Sequence, residues 1–88
     1  MESVIYGVGL TAAALTSLSY LPQVRKAFPR GATHDLSLKT MVALAAGLAL
    51  WVCYGLLRSD MVIILANGVG LALALTFVGF ILRDRRAA

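Results

Sequence analysis

Three stretches of this 88-residue chain carry no charged side chain: positions 3–24, 40–57 and 61–82. They are 22, 18 and 22 residues long. As helices at about 1.5 Å rise per residue they reach roughly 33, 27 and 33 Å, which matches a bilayer core about 30 Å thick. A backbone in lipid must satisfy its own N–H and C=O groups, so such runs fold as helices. Sixty per cent of the residues are hydrophobic and only 14% are charged, against about a quarter charged in soluble domains. A soluble domain this small lacks the interior to hide so much apolar surface. A soluble helical bundle would also need polar helix faces, and these runs have almost none. The expectation is an all-α membrane protein: one unit over 1–88, with transmembrane helices at about 3–26, 37–57 and 61–82.

The first run is not expected to be a cleaved signal peptide. Such peptides open with positive charge; this chain opens Met1, Glu2, Ser3, and the run is long enough to span. Orientation follows from the basic residues. Arg25, Lys26, Arg30 and Lys39 lie between spans one and two, and Arg83, Arg85 and Arg86 follow span three. Only Arg58 lies in the other link. The positive-inside rule therefore predicts a cytoplasmic C-terminus and an outside N-terminus. The net charge of +4 speaks of topology, with no soluble basic surface left to bind nucleic acid.

The single cysteine, Cys53, lies in span two with no metal partners nearby and reads as a small hydrophobic residue. The single histidine, His34, reads as a solvated loop residue beside Thr33 and Asp35. No catalytic, metal or cofactor pattern is visible, and an enzyme is not expected.

Polar groups inside a span are costly and tend to have a reason. Span one holds Thr11, Thr16, Ser17 and Ser19, then Pro22 and Gln23; span three holds Asn67 and Thr76. Serines and threonines can bond their own helix backbone, but the amide of Asn67 has more groups than a backbone absorbs. Trp51 lies six residues before the outer end of span two, and Asn67 six residues after the start of span three. At 1.5 Å per residue both sit about 9 Å below the outer surface. That is deep for an interfacial tryptophan, and a helix–helix hydrogen bond is the plain alternative for Asn67. An aromatic face with an amide is also a common way to hold a sugar, the ring on the apolar side and the amide on the hydroxyls. Tyr54 and Arg58 continue the face of Trp51 at i+3 and i+7. With Asp60 they could close an outer mouth; the alternative for Arg58 is snorkelling to the interface.

Gly47, Trp51 and Gly55 are spaced by four, as are Ala66, Gly70 and Ala74, and such spacing favours close helix packing. No Asp or Glu lies within the three runs. A proton-coupled carrier usually needs a titratable group there, so passive movement of a neutral solute fits better.

The segments SYLPQ in span one, LWVCYGLLRSD at 50–60 and ILAN ending at Asn67 resemble the SemiSWEETs, bacterial half-size relatives of the SWEET sugar transporters in the PQ-loop group. The resemblance covers nearly the whole chain. It implies a triple-helix bundle paired as a parallel homodimer of six helices in the bacterial inner membrane. It implies a facilitative sugar uniporter working by alternating access, with the solute held between two protomers. The pocket residues it implies are Trp51 and Asn67, with Ser19 a further candidate, and the outer gate is Tyr54, Arg58 and Asp60. Pro22 would interrupt the hydrogen-bond ladder of span one and act as a hinge, with Gln23 bonding the freed backbone; a static kink is the alternative. The inner part of span two is all small or aliphatic where relatives often have bulky aromatics, so Met41 or Leu44 would have to close the inner mouth. Two other functions stay open: a PQ-loop carrier of amino acids or another small solute, and a non-transporting membrane scaffold.

Overall fold

A computed structural model describes residues 2–87. It has three helices, α1 (Glu2–Ala27), α2 (Leu38–Leu57) and α3 (Met61–Ala87). Each is long and apolar enough to cross a membrane. The chain is a multi-pass membrane protein.

The helix ends are set by local chemistry. Ser37 caps α2: its hydroxyl accepts a hydrogen bond from the Thr40 N–H at 3.3 Å, which satisfies one of the free donors of a first turn. At the other end Ser59 takes a left-handed φ of 53°. That lets the Ser59 N–H reach Leu56 O at 3.2 Å and the Asp60 N–H reach Gly55 O at 2.8 Å, the paired bonds that close a helix C-terminus. Asp60 then starts α3, its carboxylate accepting from the Ile63 N–H at 3.2 Å. One short turn thus ends α2 and begins α3, leaving them antiparallel.

Small residues let these two helices touch. A Cβ added at Gly55 would lie 3.0 Å from side-chain carbons of Ile63 and Ile64 and 3.2 Å from the Ile64 backbone N. Gly70 faces Leu48 at ordinary contact distance, 3.4 Å. Gly47 departs from the expected pattern: a Cβ there would meet nothing within 4 Å. The close approach is made at the turn end of the hairpin, where the helices are tethered.

Chain order is not spatial order. Among the described residues α3 contacts both other helices, while α1 and α2 do not approach each other. The bundle is a flat layer, with Cα extents of 52 × 24 × 13 Å. Its buried apolar side chains are few: Ala27, Ala45, Ala74, Phe77 and Ile81. Large apolar side chains such as Val8, Leu15, Leu50 and Leu57 lie exposed, a surface suited to lipid or to another apolar face.

At the basic end α3 pins the α1–α2 loop. Arg83 Nη1 donates to Phe28 O at 2.7 Å, and Nη2 donates to Ala27 O at 3.3 Å and Pro29 O at 3.1 Å. These carbonyls belong to the end of α1, where a helix runs out of internal donors. The Asp84 carboxylate accepts from the N–H groups of Gly31 at 2.9 Å and Thr33 at 3.2 Å and from the Thr33 hydroxyl. It also accepts from Arg83 Nε at 2.9 Å. Gly31 has φ +84°, a conformation glycine adopts at no steric cost. Phe28 packs edge-on against Phe80, centroids 5.9 Å apart. Arg83 is thus more than a topology charge: it holds α1 and α3 together.

Candidate functional site: a cleft headed by Asn67

A cleft of about 550 Å³ runs between α1 and α2 over one face of α3, within the range of about 300–1,000 Å³ typical of small-molecule sites. Its floor is α3: Ala66, Asn67, Gly70, Leu73, Ala74 and Phe77. The α2 wall is apolar, made by Met41, Leu44 and Leu48. The α1 wall is mixed: Gly9, Ala12 and Ala13 are small and apolar, and Thr16, Ser17, Tyr20, Gln23 and Lys26 bring polar side chains. Asp35 lines it at the basic end. The small residues of α3 leave the cleft room, and its apolar and mixed walls suit a ligand with both kinds of surface.

Asn67 stands near the head of the cleft. Its amide Nδ2 donates to Ile63 O at 2.9 Å, which fixes the side chain. Its other N–H and its carbonyl oxygen have no partner among the described residues, so they remain free for a ligand. Trp51 does not line this single-chain cleft; it is 54% exposed. Its depth is set by register. Gly55 lies against Ile63 and Ile64, and Leu48 against Gly70. In an antiparallel pair, counting from either contact puts position 51 opposite position 67. Trp51 also falls three residues after Leu48, on the same helical face. Its ring meets Tyr54 edge-on, centroids 5.5 Å apart, a geometry favoured by aromatic quadrupoles.

The remaining sequence candidates are spread out. Ser19 is exposed, does not line the cleft, and donates its hydroxyl to Thr16 O at 2.6 Å. Pro22 lies inside an unbroken α1. The Gln23 side chain has no hydrogen-bond partner among the described residues and lines the cleft. Arg58 and Asp60 form no ion pair within the chain; the ion pairs among the described residues are His34–Asp35 and Arg83–Asp84. Asp60 already caps α3, with its second carboxylate oxygen unused. Met41 and Leu44 both line the cleft towards its basic end.

Ser17 and Tyr20 are site residues that motif reasoning passed over. The signal was partial: positions 16, 20 and 23 recur at the i, i+4, i+7 spacing of one helix face, but Ser17 and Ser19 flank that face on either side and the spacing does not separate them.

A thin bundle of membrane-spanning helices with a half-open cleft is the geometry of a small-solute carrier unit, and the comparisons with known proteins agree. Residues 3–83 match the family model described as "Sugar efflux transporter for intercellular exchange". A Leptospira biflexa protein described as "Sugar transporter SemiSWEET" is 45% identical over 64 residues, covering 73% of this chain and 75% of the relative. One of the same description from Bradyrhizobium diazoefficiens is 39% identical over 67 residues, covering 76% and 78%. Another from Escherichia coli is 33% identical over 78 residues, covering 89% and 88%. The chain belongs to the SemiSWEET family of sugar transporters, a family of carriers and not of enzymes.

Proposed function

We propose that this chain is a facilitative carrier of a neutral mono- or disaccharide, working by alternating access as a parallel homodimer in a bacterial inner membrane. The observation that carries this reading is the shared level of Trp51 and Asn67, with Asn67 at the head of a mainly apolar cleft that has polar side chains along α1. A sugar offers both surfaces: hydroxyls for the amide and an apolar ring face for the indole. The chain's family and the description of its relatives as sugar transporters support the substrate class.

The shape of the layer supports a dimer. A layer 13 Å thick leaves the cleft without a roof, and a second copy across a two-fold axis supplies one. Trp51, beside the single-chain cleft, then enters a shared pocket with its counterpart. Tyr54, Arg58 and Asp60 sit at the outer end, where Arg58 of one protomer meets Asp60 of the other when that mouth closes. The basic end faces the cytoplasm, Met41 and Leu44 narrow the inner mouth, and Pro22 is the hinge of α1.

Passive transport rests on the charge pattern, since no acidic residue lies within the apolar runs. The test is uptake of labelled glucose and sucrose into proteoliposomes, with and without an imposed pH gradient. The expected result is equilibration of one sugar to the external concentration in both conditions. Proton-driven accumulation above that level contradicts the uniport mechanism, and no movement of either sugar contradicts the substrate class.

A further inference from the structure

The hydroxyls of span one fall into three groups, one of which, including Tyr6 and Thr11, makes no hydrogen bond among the described residues and lies off the cleft. Ser19 bonds its own helix at Thr16 O, and in span three Thr76 bonds Ala72 O at 2.8 Å. These are the self-satisfied side chains expected of a membrane helix. Thr16, Ser17, Tyr20 and Gln23 are different. Their side chains make no hydrogen bond among the described residues, and all four line the cleft. A membrane helix that leaves polar groups unbonded on one stripe presents them to water or to a polar solute.

The depth of this stripe follows from the α1–α3 register. Gly9 lies against Val62 at one end, and Ala27 to Pro29 meet Arg83 at the other. The first contact puts position 14 opposite Asn67, and the second puts positions 11 to 13 there. Ser17 is then one to two turns, and Tyr20 about two turns or slightly more, nearer the basic end, roughly 4–9 and 9–14 Å along the axis. By the α2–α3 register Leu48 and Leu44 stand at the same two levels across the cleft. Ala74 is buried in the floor between them, which leaves space at the Tyr20 level.

We propose that Ser17 and Tyr20 form a second sugar station, inward of the level of Asn67 and Trp51. Their hydroxyls bond sugar hydroxyls from the α1 wall, and Leu44 and Leu48 cover the apolar face from the α2 wall. The station rests on the sugar-carrier reading and deepens it. It makes Tyr20 a specificity-determining residue, because a site that hydrogen-bonds a given hydroxyl rejects the analogue lacking it. A merely structural tyrosine has no such preference.

The test is competition of labelled glucose uptake into proteoliposomes by each monodeoxyglucose in turn. Wild type, Tyr20→Phe and Ser17→Ala are compared, with the oligomeric state of each checked by size-exclusion chromatography. Phenylalanine keeps the ring and removes only the hydroxyl. The expected result is that wild type discriminates against at least one monodeoxy analogue by about five-fold or more, the value of one hydrogen bond. Tyr20→Phe, with its fold and assembly intact, then loses that discrimination and keeps the others; Ser17→Ala loses a different one. A wild type that carries glucose but treats all the analogues alike overturns the station and leaves the sugar reading standing. So does a Tyr20→Phe profile that matches wild type or falls equally for every analogue. A wild type that carries no glucose overturns the glucose station, and one that carries neither glucose nor sucrose overturns the sugar reading with it.

Discussion

At the scale of single residues, the short turn after α2 carries two tasks in a few atoms. Asp60 caps α3 through the Ile63 N–H and, in the proposed dimer, answers Arg58. The two tasks separate by substitution. Asp60→Asn keeps a good cap and loses the charge, so thermal stability in detergent should hold while transport changes. Asp60→Ala should lose about 1 kcal/mol as well. Gly55 is fixed by packing: a branched side chain there meets Ile63, Ile64 and a backbone nitrogen at 3.0–3.2 Å. Gly55→Val should cost about 1–3 kcal/mol by overpacking, measured as a lower melting temperature. At the basic end, the hydrogen bond from Arg83, with those from Gly31 and Thr33, holds the Asp84 carboxyl well below the usual carboxylate range. Its contribution is therefore fully present above the ordinary carboxylate value of about 4 and lost only as pH falls through the lowered one. Moving from pH 7 to pH 5 should leave this contact intact, while Asp84→Ala should lower the melting temperature at both. Little of this was legible in the chain. An aspartate inside RDRR looks like one more tail charge until the fold brings Gly31 and Thr33 to it. Ser19 was singled out by its place beside the Pro-Gln pair, whereas the face of α1 that lines the cleft was written in the spacing of Thr16, Tyr20 and Gln23.

At the scale of helices, the three charge-free runs mark the elements plainly, because lipid allows no other backbone solution. Their ends are less plain. The apolar run of span three stops at Leu82, but α3 continues to Ala87, since arginines are good helix formers in water. The neighbour order, with α3 between the others, was hidden because runs apolar all round carry no stripe to say which face is covered. Pro22 belongs to this scale too. An interior proline costs a helix about 3 kcal/mol, and α1 carries it five residues before the carbonyls gripped by Arg83. If it is kept for motion, Pro22→Ala should raise the melting temperature yet slow sugar exchange several-fold, the half-saturating sugar concentration shifting with the rate. Exchange at the wild-type rate would make the proline a static kink. The Arg83 contacts tie the basic end of α1 and the α1–α2 loop to the end of α3.

At the scale of the molecule, a layer one helix thick with few buried side chains does not enclose a solute by itself. In the proposed dimer its exposed apolar faces meet lipid on one side and a second copy on the other. The account then has one centre: a sugar held between two protomers at the level shared by Trp51 and Asn67. The most direct measurement is labelled glucose and sucrose uptake by reconstituted wild type, Trp51→Ala and Asn67→Ala, with no ion gradient and with the assembly of each verified. The account predicts that wild type equilibrates one of the sugars and that both variants, still dimeric, fall at least about ten-fold in rate, the loss of roughly 1.4 kcal/mol or more of binding. Dimeric variants that carry sugar as fast as wild type would contradict it.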